Sequence, residues 1–546
     1  MKGFLIAIVL FLPFTSDAQR YEAENATLSG GATKQSSQAR SGGQFVAQNE
    51  GSLTWTVSIA TEGFYRIILN AAAPDGDKVN VFSIGDNAMD FSSSGSAYSS
   101  TPLVSSLRMP AGTHTVKISK SWGYINIDFI EFQRVSSDPR FAINEQLVTP
   151  APIDNVLRLY QFLRDNYGRR IISGVMTLNT FDETAWLKTN TGKEPALIGL
   201  DFMHSGRNYN WYNDKQPIED AKAYYERNGI PAICWHWRDP SRATEEFYTT
   251  KTAFDVSKVF EPTSPEYLAI IADIDYISGL LKELHNANVP VIWRPLHEAA
   301  GGWFWWGAKG PEPCKKLFQV MYDRMVNHHG LKNLIWVWTR EPNDNGWYPG
   351  DAYVDIVGRD LYKDGVHSSH ALEWNAMNEV YGKKKLITLS ECGSFPDPDN
   401  LATDGAAWSW FMPWYGSFVR DAKYNSLDLW KKTMNHEYVI TLDEMPDLKT
   451  YEAVVHPPAP EPDPILSVEL IHEEDATWLF PTIVTDRLYI ESKHEIGPIR
   501  VYNAAGVELQ SLTAKSTNAI ISFASEGKGM YFVKIRNRPA VKVFKR

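Results

Sequence analysis

Two kinds of hydrophobic patterning succeed each other along the chain. Between residues 20 and 133, apolar and polar positions alternate in short runs such as 53–58, 65–70 and 115–119, separated by Gly, Ser and Asn clusters. Period-two runs bounded by turn formers predict an all-β module, and a β-sandwich closes strands of this kind. Between 145 and 455 the pattern changes. Apolar runs recur at 171–176, 196–201, 231–237, 290–296, 334–339, 354–358, 385–391 and 407–413, with helical-period segments such as 218–228, 267–286 and 314–327 between them. Strands apolar throughout, alternating with helices, predict a parallel sheet buried on both faces. Eight such units suit a (β/α)8 TIM barrel. An open doubly wound sheet gives the same alternation, but no glycine-rich phosphate fingerprint accompanies it. The run HPPAPEPDP at 456–464 predicts an extended Pro-rich linker. Short β runs then resume at 487–491, 498–502, 519–523 and 531–536, so 465–546 predicts a second, small β-sandwich.

The first residues carry a different signal. Lys2, an apolar run over 4–14 and the small residues around Ser16, Asp17 and Ala18 predict a signal peptide over 1–18. That run is too short to span a bilayer, and no later run is long enough. Export with a start near Gln19 is the expectation, giving a first module at 19–135 and a catalytic domain at 145–455. The three cysteines, Cys234, Cys314 and Cys392, allow one bridge at most and form no disulfide framework. A net charge of -11 excludes nucleic acid as a partner, because its binders cluster Lys and Arg. A neutral polymer suits the 19 tryptophans better, since flat aromatic faces stack on sugar rings. A monomer is expected.

Barrels place reacting groups where their strands end. The fourth apolar run ends in Arg294, Pro295, Leu296, His297 and Glu298; the seventh ends in Leu389, Ser390 and Glu391. Breaking a glycosidic bond needs two carboxyl groups, one to protonate the leaving oxygen and one to attack the anomeric carbon or activate water. Glu298 and Glu391 are therefore the catalytic candidates. Arg294, His297 and Tyr362 are the nearest groups able to separate their pKa values. Trp303, Phe304, Trp305 and Trp306 follow Glu298 on one loop, where contiguous aromatics suggest a ligand surface.

At these residues the chain resembles glycoside hydrolase family 26, a group of mostly β-mannanases with retaining barrels. The motifs are WHW at 235–237, RPLHEAAGGWFWWG at 294–307, WYPGDAYVDIVGRDLY at 347–362, LSECGS at 389–394 and WSWFMPWYG at 408–416. The resemblance implies Glu298 as acid/base and Glu391 as nucleophile. It implies His297 and Trp303 at the sugar, Asp360 and Tyr362 beside the nucleophile, and Trp414 (or Trp410) under the reacting sugar. His236 and Arg294 complete the implied substrate-binding set. Ala299 stands where many members carry Asn. The expected activity is a secreted, retaining endo-β-1,4-mannanase acting on mannan, glucomannan or galactomannan, without a catalytic cofactor. Mixed-linkage β-glucan or β-1,3-xylan as substrate, and a polysaccharide-binding protein without catalysis, are the alternatives. The N-terminal module is similar to carbohydrate-binding module family 35 in YEAENA at 21–26, SGG at 41–43 and IDFIEF at 127–132. That likeness implies a structural calcium held by Glu22, Glu24 and Asp128, with Trp122 and Asn126 at a sugar. The last eighty residues resemble a type IX secretion sorting domain in LYIES, IRVYNAAGVEL and GKGMYFVKI, which implies secretion machinery as a partner.

Overall fold

A computed structural model describes residues 18–135, 143–452 apart from 343, 345, 382 and 383, and most of 469–545. Apart from Ala18, the expected signal peptide lies outside the described residues, as does the expected linker. The chain divides into two compact units, 1–455 and 456–546.

The first unit opens with two antiparallel sheets of six and five strands. Its alternation has the predicted cause: strand Ser52–Ile59 buries Leu53, Trp55, Val57 and Ile59 and turns Thr56 and Ser58 to water. The sandwich packs on the domain that follows. Asn87 Oδ1 accepts from the Ala371 amide at 3.0 Å, and Arg108 Nη1 donates to the Ala402 carbonyl at 3.2 Å.

That following domain is a closed parallel barrel. Its strands are β1 (Ile171–Met176), β2 (Leu197–Asp201), β3 (Ile230–Cys234), β4 (Val291–Arg294), β5 (Leu334–Arg340), β6 (Ile356–Leu361), β7 (Leu386–Cys392) and β8 (Trp410–Phe411). Neighbours pair in parallel from β1 to β7, and Ile172 opposite Trp410 joins β8 to β1. Bonds from Ser409 N to Ile387 O (2.8 Å), Cys392 N to Met412 O (3.0 Å) and Trp414 N to Cys392 O (3.0 Å) join β8 to β7. The ring is closed, which rules out the open doubly wound sheet. Every residue of β1, β4, β6 and β7 is buried, as strands covered on both faces require.

Three strands are shorter by two residues or more than the apolar pattern predicts. β3 and β4 end at Cys234 and Arg294, and β8 keeps two ladder residues of the expected seven. Past β3 and β4 the remaining apolar residues Trp235, Trp237 and Leu296 follow the ladder's end, whereas at β8 Ala407 and Trp408 precede the ladder and Met412 follows it. The predicted helices appear as Gln216–Glu226, Pro265–Asn286 and Pro311–Tyr322, the last continuing as a π-helical turn over Asp323–His328. All three cysteines are buried and unpaired, so the one possible bridge does not form. The described part of the second unit holds a four-stranded and a five-stranded sheet, with Leu488, Ile490, Val501, Phe523 and Val533 in its core.

Candidate active site

The carboxyl groups expected from the sequence meet at the barrel mouth. Oxygens of Glu298, Asp360 and Glu391 lie within 4.8 Å of one another. Glu391 is the penultimate residue of β7, and its two oxygens are both engaged. Arg294 Nη2, from the end of β4, donates to Oε2 at 2.6 Å, and the Tyr362 hydroxyl donates to Oε1. Arg294 also donates through Nη1 to Asp360 Oδ2 at 2.8 Å, while Ser390 Oγ donates to Asp360 Oδ1 at 2.6 Å. One guanidinium thus spans both carboxylates from β6 and β7, a use that suits its planar fork. Burial raises the Glu391 pKa and the Asp360 charge adds to the rise; Arg294 and Tyr362 oppose them by favouring the ionised form.

Glu298 is treated differently. It sits just past β4 with φ 53° and ψ 29°, and Leu296 before it has φ 50°. Two non-glycine residues in the left-handed region mark backbone held under strain by its surroundings. The strain aims the Glu298 carboxyl across the mouth toward Glu391. Among the described residues one donor reaches it, Trp303 Nε1 to Oε2 at 2.8 Å. Burial, then the charges of Asp360, Glu391 and Glu341, push its pKa far above the usual carboxylate range. In this pair, therefore, Glu298 holds the proton while Glu391, with a cation and a hydroxyl on its oxygens, carries the charge.

A chain of rings supports one side of the site. His236 Nδ1 lies 2.6 Å from Asp201 Oδ2, and His297 Nε2 lies 3.1 Å from His236 Nε2. Burial and the neighbouring His236 and Arg294 hold the His297 pKa well below its usual value, so this imidazole is neutral. Among the described residues its buried Nδ1 has no partner, which places the one proton on Nε2 and directs it at His236. His236 then accepts at Nε2 and donates its Nδ1–H to Asp201 Oδ2. Trp306 Nε1 fixes the turn by donating to the His297 carbonyl at 2.9 Å. Trp414 lies partly open beside His236, with ring centroids 5.4 Å apart, whereas Trp410 is buried among barrel residues.

The aromatic loop differs from expectation. Only Trp303 is open, at 43% exposure; Phe304, Trp305 and Trp306 are buried. Trp305 Nε1 reaches the Trp237 carbonyl at 2.6 Å and its ring packs edge-on against Trp237 at 5.0 Å. The loop folds under itself because its flat rings fill the space vacated where β3 leaves the ladder. Trp303 in turn lies against Gly301, where a Cβ would come within 2.1 Å of the indole. Ala299 is buried, and a Cβ at Gly307 would fall 2.0 Å from its carbonyl oxygen, so only glycine fits at 307. Sequence reasoning missed Asp201 and Ser390. Asp201 was findable, as a polar residue ending an apolar strand; Ser390 points inward from mid-strand and gave no signal.

In the sandwich, Ser41 links two of the expected calcium ligands. Its amide donates to Asp128 Oδ1 at 3.0 Å and its hydroxyl to Glu22 Oε1 at 2.7 Å. Glu22 Oε2 and Glu24 Oε2 are buried without a partner among the described residues. Gly42, at φ 64°, lets the chain pass Glu24 where a Cβ would fall 2.1 Å from Oε1. Among the described residues these three acids do not converge to the mutual 4.8 Å seen at the barrel mouth. Trp122 stands 70% exposed on the loop before strand Asn126–Val135, which Asn126 opens, half-buried.

Comparison with known proteins agrees with this geometry. The family model for glycosyl hydrolase family 26 matches residues 148–444, that for carbohydrate binding module family 35 matches 19–135, and that for a secretion system C-terminal sorting domain matches 478–546. The chain is 37% identical to a mannan endo-1,4-beta-mannosidase of Thermothelomyces thermophilus, over 79% of this chain and 91% of the relative. It is 32% identical to mannan endo-1,4-beta-mannosidase A of a Piromyces species, over 82% and 76%. A GH26-CBM35 beta-(1,4)-mannanase of Podospora anserina superposes with a TM-score of 0.57 at 35% identity, covering 80% of this chain and 100% of that one. A ruminal GH26 endo-beta-1,4-mannanase reaches a TM-score of 0.66 at 26% identity, covering 80% and 99%. The paired carboxylates thus sit in a chain that belongs to glycosyl hydrolase family 26, preceded by a family 35 carbohydrate binding module and followed by a secretion sorting domain.

Proposed function

We propose that the chain hydrolyses β-1,4-linked mannan with retention of anomeric configuration. One observation carries the mechanism: the carboxylate oxygens of Glu298 and Glu391 lie within 4.8 Å of each other. Retaining glycosidases hold the two carboxyl groups about 5–5.5 Å apart, whereas inverting ones need about 6.5–9.5 Å to admit a water. Glu391 attacks the anomeric carbon and Glu298 protonates the departing oxygen. The glycosyl–enzyme ester is then hydrolysed by water that Glu298, now ionised, deprotonates. Arg294 and Tyr362 hold the nucleophile in line, and Trp303 fixes the acid/base beside the leaving group. Trp414, His236 and His297 form the wall that meets the reacting sugar. The mannan-active relatives support the choice of substrate.

The sandwich is read as a polysaccharide-binding module that meets sugar at Trp122 and Asn126. Hard oxygen donors suit calcium, and the unpartnered oxygens of Glu22 and Glu24 fit a bound cation; with Asp128 they would hold it in a structural role. The sorting domain supports export across the outer membrane; a signal peptide over 1–18 and a monomeric state belong to the same proposal.

Proton NMR of early products tests the reaction. Retention is expected, and an inverted first product would remove the double displacement. Glu391→Ala should lose nearly all turnover on every substrate. Glu298→Ala should keep most of its kcat/KM on an aryl mannoside whose leaving group needs no acid, while kcat falls because the second step lacks its base; equal losses of kcat/KM on aryl mannoside and mannan would overturn its role. Side-by-side assays on mannan, lichenan and β-1,3-xylan identify the polymer.

A further inference from the structure

We infer that Asn87 of the sandwich is a positioning residue for hydrolysis in the barrel: the hairpin that carries it holds both ends of the loop that presents Tyr362 to Glu391. This rests on the mechanism proposed above, in which Tyr362 holds the nucleophile. The loop leaves β6 after Leu361 and ends at His370, where helix Ala371–Val380 begins. The hairpin joins strands Lys78–Ile84 and Asn87–Ser93 through Gly85 and Asp86. At the start of the loop, Lys363, next to Tyr362, donates through Nζ to the Ala88 carbonyl at 3.5 Å. At its end, the Ala371 amide donates to Asn87 Oδ1 at 3.0 Å, and Ser369 Oγ lies 3.2 Å from the same oxygen. The loop is also tied to the one after β7, where Gly365 N donates to Ser394 Oγ at 2.8 Å, so hairpin and barrel grip it from two sides.

The contact at the helix start meets a need of the barrel. The first amides of a helix have no partner within it and take acceptors from outside. A side-chain oxygen of Asn, Asp, Ser or Thr at the N-cap normally supplies one. Here the N-cap is His370, with φ 53°, ψ 36° and no capping side chain, and the Ala371 amide is shared between Asn87 and Ser369 Oγ, the latter at 3.2 Å. A residue other than glycine keeps this left-handed backbone only where its surroundings impose it. Asn87, fixed in a strand of another domain, is part of those surroundings. The helix so anchored places Glu373 in its first turn, 3.8 Å from Lys363 Nζ and 4.0 Å from Arg359 Nε, which precedes Asp360 on β6. Loop, helix start and strand end are therefore held as one piece. Tyr362 depends on that support: it is 42% exposed, and its hydroxyl reaches Glu391 from a ring that packs edge-on against Phe418. The hairpin is a firm support because the buried apolar side chains of sandwich and barrel form one continuous core.

The test uses the full chain and an aryl β-1,4-mannotrioside with a good leaving group, a short soluble substrate that needs no capture by the sandwich. Its kcat/KM reports the step in which Glu391 attacks. Asn87→Ala should lower kcat/KM about tenfold and move the acid limb of its pH profile upward, in the direction expected of Tyr362→Phe. Added to Tyr362→Phe, the same change should shift the limb no further, because the group it acts through is gone. Arg108→Ala, which cuts a different contact between sandwich and barrel, should leave the limb in place. Where Asn87→Ala does not fold, Ser369→Ala loosens the same contact from the barrel side and carries the same expectation. A limb that stays in place whatever the melting temperature, shifts that add in the double variant, or an equal shift in Arg108→Ala overturn the inference alone. A wild type inactive on the trioside overturns the mannan reading and the inference with it.

Discussion

Replacing Tyr362 by phenylalanine removes one hydroxyl and asks whether Glu391 acts as an ionised nucleophile. The perturbation is confined. The Tyr362 ring packs edge-on against Phe418 at 5.3 Å, a contact that phenylalanine keeps. What goes is the donor to Glu391 Oε1, leaving Arg294 on Oε2 at 2.6 Å as the remaining direct support. A hydrogen bond to a charged group contributes about 1.5–3 kcal/mol. Because Tyr362 is one of the groups that lower the Glu391 pKa against burial, its loss raises the pH at which Glu391 ionises. At about 1.36 kcal/mol for each unit, the acid limb of kcat/KM moves up by about 1–2 pH units. kcat/KM is the quantity to follow, since it reports the free enzyme. An acid limb that stays in place with unchanged rates would refute the assignment of Tyr362 as the group that holds the charged nucleophile.

Three further outcomes follow from the same geometry. Glu341 is one of the charges that keep Glu298 protonated, after burial, Asp360 and Glu391. Glu341→Gln should let Glu298 lose its proton earlier, moving the alkaline limb of kcat/KM to lower pH while the acid limb holds. Glu298 has a folded pKa raised above its unfolded value, so it costs stability as pH rises above the unfolded pKa. Glu298→Gln should therefore melt higher than wild type at neutral pH, the gap growing by at most about 1.4 kcal/mol per pH unit and closing in acid, as thermal unfolding across pH will show. Removing calcium with a chelator should lower the melting temperature of the N-terminal module, and calcium at a hundred times its Kd should restore it by adding about 2.7 kcal/mol of stability; Glu24→Gln should abolish that response.

The elements most legible in the sequence were those set by local pattern. Continuous apolar runs gave all eight barrel strands, and β1 matches the pattern at both ends. Asking what stands where each run stops found Glu298 and Glu391 without any alignment. What the pattern could not give was the point at which an apolar strand leaves its ladder. Trp235, Trp237 and Trp305 are as hydrophobic as ladder residues, but they pack beneath the mouth after the chain has turned, so β3 looked longer and the aromatic loop more open than they are. Trp303 and Trp305 are the same residue type two positions apart; burial separates them through backbone geometry and the tight glycines at 301 and 307. Asp201 lies 97 residues from Glu298 in the chain, and its link through His236 and His297 exists only after three strands align. The left-handed backbone at Glu298 is likewise a tertiary property, imposed on a residue with no preference for it.

The most direct test of the account is to trap the covalent intermediate. A 2-deoxy-2-fluoro-mannoside with a good leaving group slows both steps but allows the second carboxylate to capture the sugar. Digestion and mass spectrometry of the inactivated enzyme should place one mannosyl-derived adduct on the peptide carrying Glu391, with Glu298 unmodified. An adduct on another residue, or full inactivation of Glu391→Gln by the same reagent, would contradict the assignment of Glu391 as nucleophile.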